Sequence, residues 1–134
     1  MNQAPAPVFI SATPVLASLD IVRTVAFYER ALGALGAKAI HAQPGEYGIV
    51  SLGGPEIHFW ACTDPEIPKL TSCRIQVMGI AALHAHCLSQ NAVHPNGGLR
   101  SQPWGTQEFS LLDEDGNCIT FYEDRPAAPT APAA

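Results

Sequence analysis

The chain of 134 residues lacks several features that whole classes of protein require. It contains no uninterrupted apolar run of the roughly 18 residues that a membrane-spanning helix needs. Its first seven residues do not follow the basic-then-apolar order of a signal peptide. We therefore expect a cytoplasmic protein, and neither a membrane protein nor an exported one.

Basic residues are scarce, and they are scattered along the chain. The sequence holds 7 Lys and Arg against 12 Asp and Glu, which gives a net charge of −5. A protein that binds nucleic acid needs a cluster of basic residues to neutralise phosphates, and the sequence has no such cluster. A nucleic-acid partner is therefore not expected, and the acidic balance favours a cationic small molecule instead.

The sequence motifs of common catalytic sites are also missing. There is no glycine-rich phosphate loop and no G-x-S-x-G nucleophile motif. The cysteines do not form a C-x-x-C pair, so we interpret all four as free thiols that pack in or near the core: Cys62, Cys73, Cys87 and Cys118. Nothing in this inventory indicates a nucleophilic enzyme.

The predicted secondary-structure elements occur in the same order in two consecutive parts of the chain. Apolar periodicity predicts a strand, a helix and three strands over residues 13–61, with Asp20 as the helix N-cap. The order recurs over residues 73–123, where one strand is placed only approximately, near Asn96. The last strands of the two copies correspond, since Ile57–Trp60 aligns with Ile119–Tyr122. The sequence thus predicts an α+β fold of two βαβββ modules.

The ends of the chain differ from this repeated region. Residues 1–7 and the Pro/Ala-rich residues 125–134 have no periodicity, and we predict that both are flexible. The apolar run Val8-Phe9-Ile10 needs burial, and docking on another subunit is one way to provide it. The predicted domain is residues 8–124, with modules at about 8–63 and 70–124.

Two segments resemble a known superfamily. The first module is similar to that of vicinal-oxygen-chelate proteins at Thr13–Leu16, Asp20, Ala26–Tyr28 and Leu32–Gly33. A second segment resembles the signature of bleomycin-binding resistance proteins within that superfamily, at Gln102–Gly105, Glu108, Phe109, Leu111, Asp113 and Asp115–Asn117. Together the resemblance covers nearly all of residues 8–124.

The resemblance implies a fold, an assembly and a function. Each module is expected to form a curved mixed sheet, and the paired sheets are expected to form a cup. This arrangement is the glyoxalase/bleomycin-resistance fold. The expected unit is a homodimer with ligand grooves at its interface and N-terminal strands that cross to the partner at Pro14. The implied function is sequestration of a bleomycin-family antibiotic, without catalysis or cofactor, which gives antibiotic resistance.

Enzymes that the chain resembles hold a divalent metal with four inward side chains. The matching positions here are Thr13, His58, Cys73 and Thr120, with Glu56 as an alternative to the second. Such cations need charged or basic donors, which two threonines do not supply, so we predict no catalytic metal. A metal-dependent lyase or dioxygenase, resting on His58 and Cys73, stays open as an alternative, as does binding of another flat natural product.

Seven residues are predicted to line the ligand groove: Trp104, His58, Trp60, Glu56, Tyr122, Glu108 and Tyr47. The resemblance places Trp104 at the groove, and a plug at the dimer interface is the alternative. Strand alternation puts Glu56, His58 and Trp60 on one face, where His58 is either a groove residue or a core histidine satisfied by a neighbour. Glu108 either meets a ligand cation or ties the Trp104 loop. Flat rings would stack on the aromatic side chains, and a cationic tail would favour acidic walls.

Overall fold

The computed structural model describes residues 4–125 and contains the two predicted modules in the predicted order. The first module consists of β1 (Val15–Ser18), α1 (Ile21–Leu32), β2 (Lys38–Gln43), β3 (Tyr47–Ser51) and β4 (Glu56–Ala61). The second consists of β5 (Ser72–Gln76), α2 (Ile80–Ser89), β6 (Arg100–Ser101), β7 (Thr106–Leu112) and β8 (Cys118–Asp124). The strand that the sequence placed only approximately is β6. Residues 1–3 and 126–134, which belong to the termini predicted to be flexible, lie outside the described residues.

Each module folds into one four-stranded mixed sheet with the same topology. The strand orders are β1-β4-β3-β2 and β5-β8-β7-β6. In both sheets the first strand of the module pairs in parallel with the last, and the remaining pairs are antiparallel. The parallel pairing needs a crossover connection, which the helix and following strands of each module supply. The βαβββ repeat is therefore confirmed in topology as well as in element order.

A helix covers one face of each sheet and leaves the other face open. In the first module Phe59 of β4 packs against Tyr28 of α1, with ring centroids 5.2 Å apart. Gly48 of β3 lies directly beneath α1, where a Cβ would come within 3.0 Å of Val25 Cγ1. Because side chains alternate along a strand, the residues between these core positions point to the opposite, uncovered face.

The helix α1 begins where the sequence predicted. The Asp20 carboxylate accepts a hydrogen bond from the backbone N–H of Arg23 at 3.1 Å, as an N-cap side chain does. The helix ends at Leu32, and a short 3₁₀ turn follows at Gly33–Leu35. Gly36 then leaves this turn with a positive φ of 104°, a conformation that glycine adopts without strain. Within the described residues, no helix has the length and apolar character needed to cross a membrane.

The loop between β7 and β8, which we call the Asp113 loop (Asp113–Asn117), is organised around one buried carboxylate. Asp113 accepts hydrogen bonds from the backbone N–H groups of Asp115, Gly116 and Asn117, at 3.0, 3.0 and 2.9 Å. It also accepts one from the Tyr28 hydroxyl of α1 at 2.9 Å. Burial raises the pKa of Asp113, and its hydrogen bonds with Asn117 and Tyr28 oppose that rise.

The same loop joins the second module to the first through two further side chains. The Asp115 carboxylate pairs with Arg23 of α1 and accepts the backbone N–H of Leu19 at 2.9 Å. The Asn117 amide donates to the carbonyl of Ala17 in β1 at 2.7 Å. Polar groups from both modules therefore satisfy one another at the junction, which sets the position of one sheet relative to the other.

The segment Val8–Ile10 is not buried by either module of its own chain. Val8, Phe9 and Ile10 are 75%, 99% and 86% exposed. This agrees with the interpretation of the apolar run as a segment that needs burial elsewhere.

We predict that Asp113→Ala lowers the free energy of unfolding by about 3 kcal/mol, because it leaves several buried donors without an acceptor. Urea unfolding followed by circular dichroism measures the change. Glu114→Ala is the matched control: Glu114 is exposed in the same loop, and its loss should change the free energy by less than about 0.5 kcal/mol. Equal effects of the two substitutions would contradict the view that the hydrogen bonds of Asp113 stabilise the loop and its contact with α1.

Candidate ligand groove

The open face of the first sheet carries a polar and aromatic surface that we call wall 1 (Tyr47, Glu56, His58 and Trp60). Ile57 and Phe59 of β4 are fully buried under α1, whereas the residues that alternate with them are half-buried or exposed. Tyr47 of β3 lies opposite Trp60 in the strand register and therefore shares its face. The predicted alternation of β4 is thus confirmed.

His58 is held in wall 1 by hydrogen bonds at both ring nitrogens. The Tyr47 hydroxyl lies 2.8 Å from Nδ1, and a Glu56 carboxylate oxygen lies 2.9 Å from Nε2. A neutral ring satisfies both contacts when Nε2–H donates to Glu56 and Nδ1 accepts from Tyr47. The His58 side chain is 21% exposed, so it lies on the open face of the sheet, where its neighbours satisfy both ring nitrogens, rather than in the core.

The open face of the second sheet forms a different surface, wall 2 (Arg74, Trp104, Glu108 and Tyr122). The strand register places Arg74 of β5 beside Thr120, and Glu108 of β7 beside Tyr122. Arg74 was not among the residues selected from the sequence. Alternation along β5 was the signal that could have found it, since it is the neighbour of Cys73 on the opposite face.

Glu108 is the centre of wall 2. Its carboxylate accepts two hydrogen bonds from the Arg74 guanidinium, at 3.1 and 2.8 Å. It also accepts the Trp104 indole N–H at 2.9 Å and the Thr106 hydroxyl at 2.6 Å. The ion pair and hydrogen bonds lower the pKa of Glu108 to about 2. Of the two roles considered for Glu108, the structure supports the one in which it ties the Trp104 loop.

The aromatic residues of the two walls remain accessible. Trp104 is 64% exposed and Trp60 is 39% exposed. The Arg74 guanidinium lies over the Tyr122 ring, with Cζ 4.7 Å from the centroid, which is cation–π geometry. Both walls therefore offer indole surface on which a flat ring could stack.

The segment of residues 93–101 runs beside β7 and borders wall 2. His94 N–H donates to the Ser110 carbonyl at 2.8 Å, and Ser110 N–H donates to the Gly97 carbonyl at 2.9 Å. A Cβ on Gly97 would lie 2.9 Å from Ser110 Cβ, so this close approach requires glycine. A cavity of about 200 Å³ lies between this segment and the sheet, and its lining includes Arg74, Arg100 and Thr120.

A larger cavity lies between the two modules, and its lining contains none of the seven predicted residues. Its volume is about 510 Å³, and its lining is mainly aliphatic, including Leu32, Leu52, Ile75 and Leu83. Stacking surface and charged groups are concentrated in the two walls, so we place the candidate site there rather than in the larger cavity.

The four positions matched to a metal site do not form one. Cys73 pairs in register with the fully buried Ile119, so it lies on the helix-covered face and packs against the core. Thr13 precedes β1, and the residue of β1 that pairs with His58 is the aliphatic Val15. The assignment of Cys73 as an inward position was therefore wrong, because the register of β5 with β8 places it on the helix-covered face.

The chemistry of the side chains on the two open faces also does not fit a cation. The wall position next to Cys73 is held by the Arg74 guanidinium, which is positively charged and has no lone pair to donate. Within residues 4–125, no group of three or more His, Cys, Asp or Glu side chains could hold a metal ion. His58 and Glu56 alone are an incomplete set of ligands.

Sequence comparison finds curated relatives of this chain, although no family model matches it. A bleomycin resistance protein from Geobacillus stearothermophilus is 29% identical over 131 residues, which cover 85% of this chain and 96% of the relative. The chain is therefore similar to bleomycin resistance proteins over most of its length. This finding agrees with the resemblance seen at Gln102–Gly105 and in the Asp113 loop.

Solved structures show the same relationship in three dimensions. A bleomycin-binding protein complexed with bleomycin superimposes with a TM-score of 0.69 at 26% identity, over 87% of this chain and all of the other. A glyoxalase-related enzyme from Clostridium phytofermentans has a TM-score of 0.69 at 23% identity, over 90% of this chain and 99% of the other. The glyoxalase/bleomycin-resistance fold is therefore confirmed.

We predict that Cys73 and Cys87 react slowly with the thiol reagent DTNB at pH 8. Burial raises the pKa of each thiol to about 11, so only about one thiol in a thousand is ionised at that pH. Labelling should be at least about tenfold slower than in guanidinium, where all four cysteines react. Rapid labelling of Cys73 that zinc prevents would contradict its position in the core.

Proposed function

We propose that this chain is a non-catalytic binding protein that sequesters a bleomycin-family antibiotic in grooves at a homodimer interface and so confers resistance. The observation that carries the proposal is an accessible tryptophan on the open face of each module, Trp60 and Trp104, in a chain similar to bleomycin resistance proteins. The bleomycin-bound structure with the same fold supports the choice of ligand.

The chemistry of the walls suits a long ligand with flat rings and a cationic end. Indole faces provide stacking area for the rings. The Glu56 carboxylate is 40% exposed in wall 1, where it is available to a cation. The net charge of −5 adds a long-range attraction for a cationic drug, which raises the rate of encounter.

Several features of the walls favour binding without turnover. Both nitrogens of His58 are engaged, and the Glu108 carboxylate is occupied by Arg74 and its other donors. A general base needs an accessible lone pair within reach of the substrate proton. Among the described residues, wall 1 offers His58 and Glu56 as metal ligands, whereas a catalytic zinc site has three protein ligands.

The dimer in this proposal rests on the exposed N-terminal segment. Fully burying a side chain such as Val, Ile or Phe contributes roughly 1.5–3 kcal/mol, so burial of Val8, Phe9 and Ile10 on a partner would favour association substantially. Pro14 lies between this segment and β1, as expected for the point at which the strand turns toward the partner. The proposed location is the cytoplasm, where four free cysteines remain reduced.

One observation favours a second candidate, a metal-dependent enzyme. The chain shares its fold with a glyoxalase-related enzyme, and His58 with Glu56 offers two ligands in wall 1. Stoichiometric metal in protein purified without chelator would support this candidate. Metal content well below one ion per chain would exclude it.

We expect metal-free bleomycin to quench the tryptophan fluorescence of metal-stripped protein in a saturable manner, at two drugs per dimer, because a two-fold symmetric interface has two equivalent grooves. Trp104→Ala should weaken the affinity at least about tenfold, since aromatic anchors dominate such sites. Isothermal titration calorimetry gives the affinity and the stoichiometry independently of fluorescence.

Leu88→Ala serves as the control for this titration, because Leu88 is exposed on α2, away from both walls. Its affinity for bleomycin should match that of the unmodified chain. Absence of saturable binding at micromolar drug would disprove bleomycin as the ligand. Titration with other flat natural products would then identify the compound that the groove accepts.

We predict that Phe9→Asp shifts the protein from dimer to monomer, because a charge replaces an apolar side chain that requires burial at the interface. Sedimentation velocity measures the change. Ser11→Asp introduces the same charge at an exposed position of the same segment and should leave the dimer intact. A stable dimer in Phe9→Asp, or a monomer in both variants, would contradict a specific apolar contact by Phe9.

A further inference from the structure

We infer that Glu108 is a positioning residue of the groove, which fixes the Trp104 indole and neutralises the Arg74 guanidinium before a ligand arrives. This inference names the residue that prepares wall 2 and rests on the proposed function for the identity of the ligand. The arrangement itself exists in the free protein, where it can be tested without any ligand.

The first argument is the saturation of one buried carboxylate. Glu108 is 6% exposed, and its Oε2 alone accepts hydrogen bonds from Arg74, Trp104 and Thr106. Only a charged carboxylate has enough acceptor sites for all of these donors, because a glutamine amide has one oxygen and adds two donors of its own. The charge of Glu108 is therefore necessary for the arrangement as a whole.

The second argument concerns Trp104. Its side chain is 64% exposed and belongs to a turn that continues into Gly105, which has a positive φ of 97°. A mostly exposed ring in a turn has little packing to restrict its rotamers, so its bond to Glu108 at 2.9 Å is a major restraint. The bond engages the edge of the indole, which leaves the ring faces available for stacking.

The third argument concerns charge. Arg74 makes a two-bond pair with Glu108 and lies over Tyr122, so its guanidinium has a fixed plane and a compensated charge. A cationic ligand that approaches wall 2 therefore meets a neutral pair. Without the Glu108 charge, the same ligand would meet an uncompensated guanidinium beside the stacking ring.

Glu108→Gln in a Trp60→Phe background tests the inference, because Trp104 is then the only tryptophan. We expect lower fluorescence anisotropy and an increase of about twofold in acrylamide quenching, since the ring loses a restraint made by a charged acceptor. Glu114→Gln removes the same charge from an exposed position and should change neither quantity. Unchanged anisotropy and quenching in a folded Glu108→Gln protein would overturn the inference.

A pH profile of Arg74→Met supplies a second test that does not need the Glu108→Gln protein to fold. In the parent chain the fluorescence anisotropy of Trp104 should stay constant as the pH falls and should change only near pH 2. The reason is that Arg74 helps to lower the pKa of Glu108 to about 2. In Arg74→Met that transition should move up by at least about one pH unit, as loss of an adjacent opposite charge requires. Identical profiles in the two proteins would overturn the coupling.

Binding experiments separate this inference from the proposed function. In the chain with both tryptophans, Glu108→Gln should weaken bleomycin binding at least about tenfold in calorimetry, because the wall is no longer preorganised. If the parent chain does not bind bleomycin but Glu108→Gln releases Trp104, the proposed function is wrong and the positioning role stands. If the parent binds and Glu108→Gln neither releases Trp104 nor weakens binding, the function stands and the inference is wrong.

Discussion

The buried carboxylate of Asp113 is the constraint on which the arrangement of the two sheets depends. A charge in the interior is tolerated only when hydrogen bonds replace the water that it has lost. Here the backbone of the Asp113 loop and the Tyr28 hydroxyl do so together. Because these donors belong to both modules, satisfying one carboxylate fixes the second module against the first.

This constraint separates two kinds of residue within the segment that resembles the bleomycin-resistance signature. Asp113, Asp115 and Asn117 are structural, because their side chains are used in the junction with β1 and α1. Trp104 and Glu108 belong to wall 2 and face away from the core. In this chain the segment therefore contains residues that join the modules and residues that lie on the open face of the second sheet.

The two walls use their charged groups differently, although they come from equivalent sheets. In wall 1 the Glu56 carboxylate is half-exposed and shares one hydrogen bond with His58, so it retains capacity for a cation. In wall 2 the Glu108 carboxylate is buried and saturated by internal donors. The open face of the first sheet thus carries an acidic group that remains available, whereas the acidic group on the open face of the second sheet is compensated by Arg74.

The sequence by itself determined the βαβββ repeat, the Asp20 cap and the alternation of β4, because each depends on residues close together in the chain. The sequence also indicated that the segment Gln102–Gly105, which carries Trp104, resembles the bleomycin-resistance signature. Only the tertiary structure decided between the two roles of Glu108, since its partner Arg74 lies 34 positions away on another strand. It also decided the face of Cys73, which depends on the register of β5 with β8. A residue's own strand pattern gives the period of alternation, whereas its partners and the direction of its side chain are set by the strands that pack beside it.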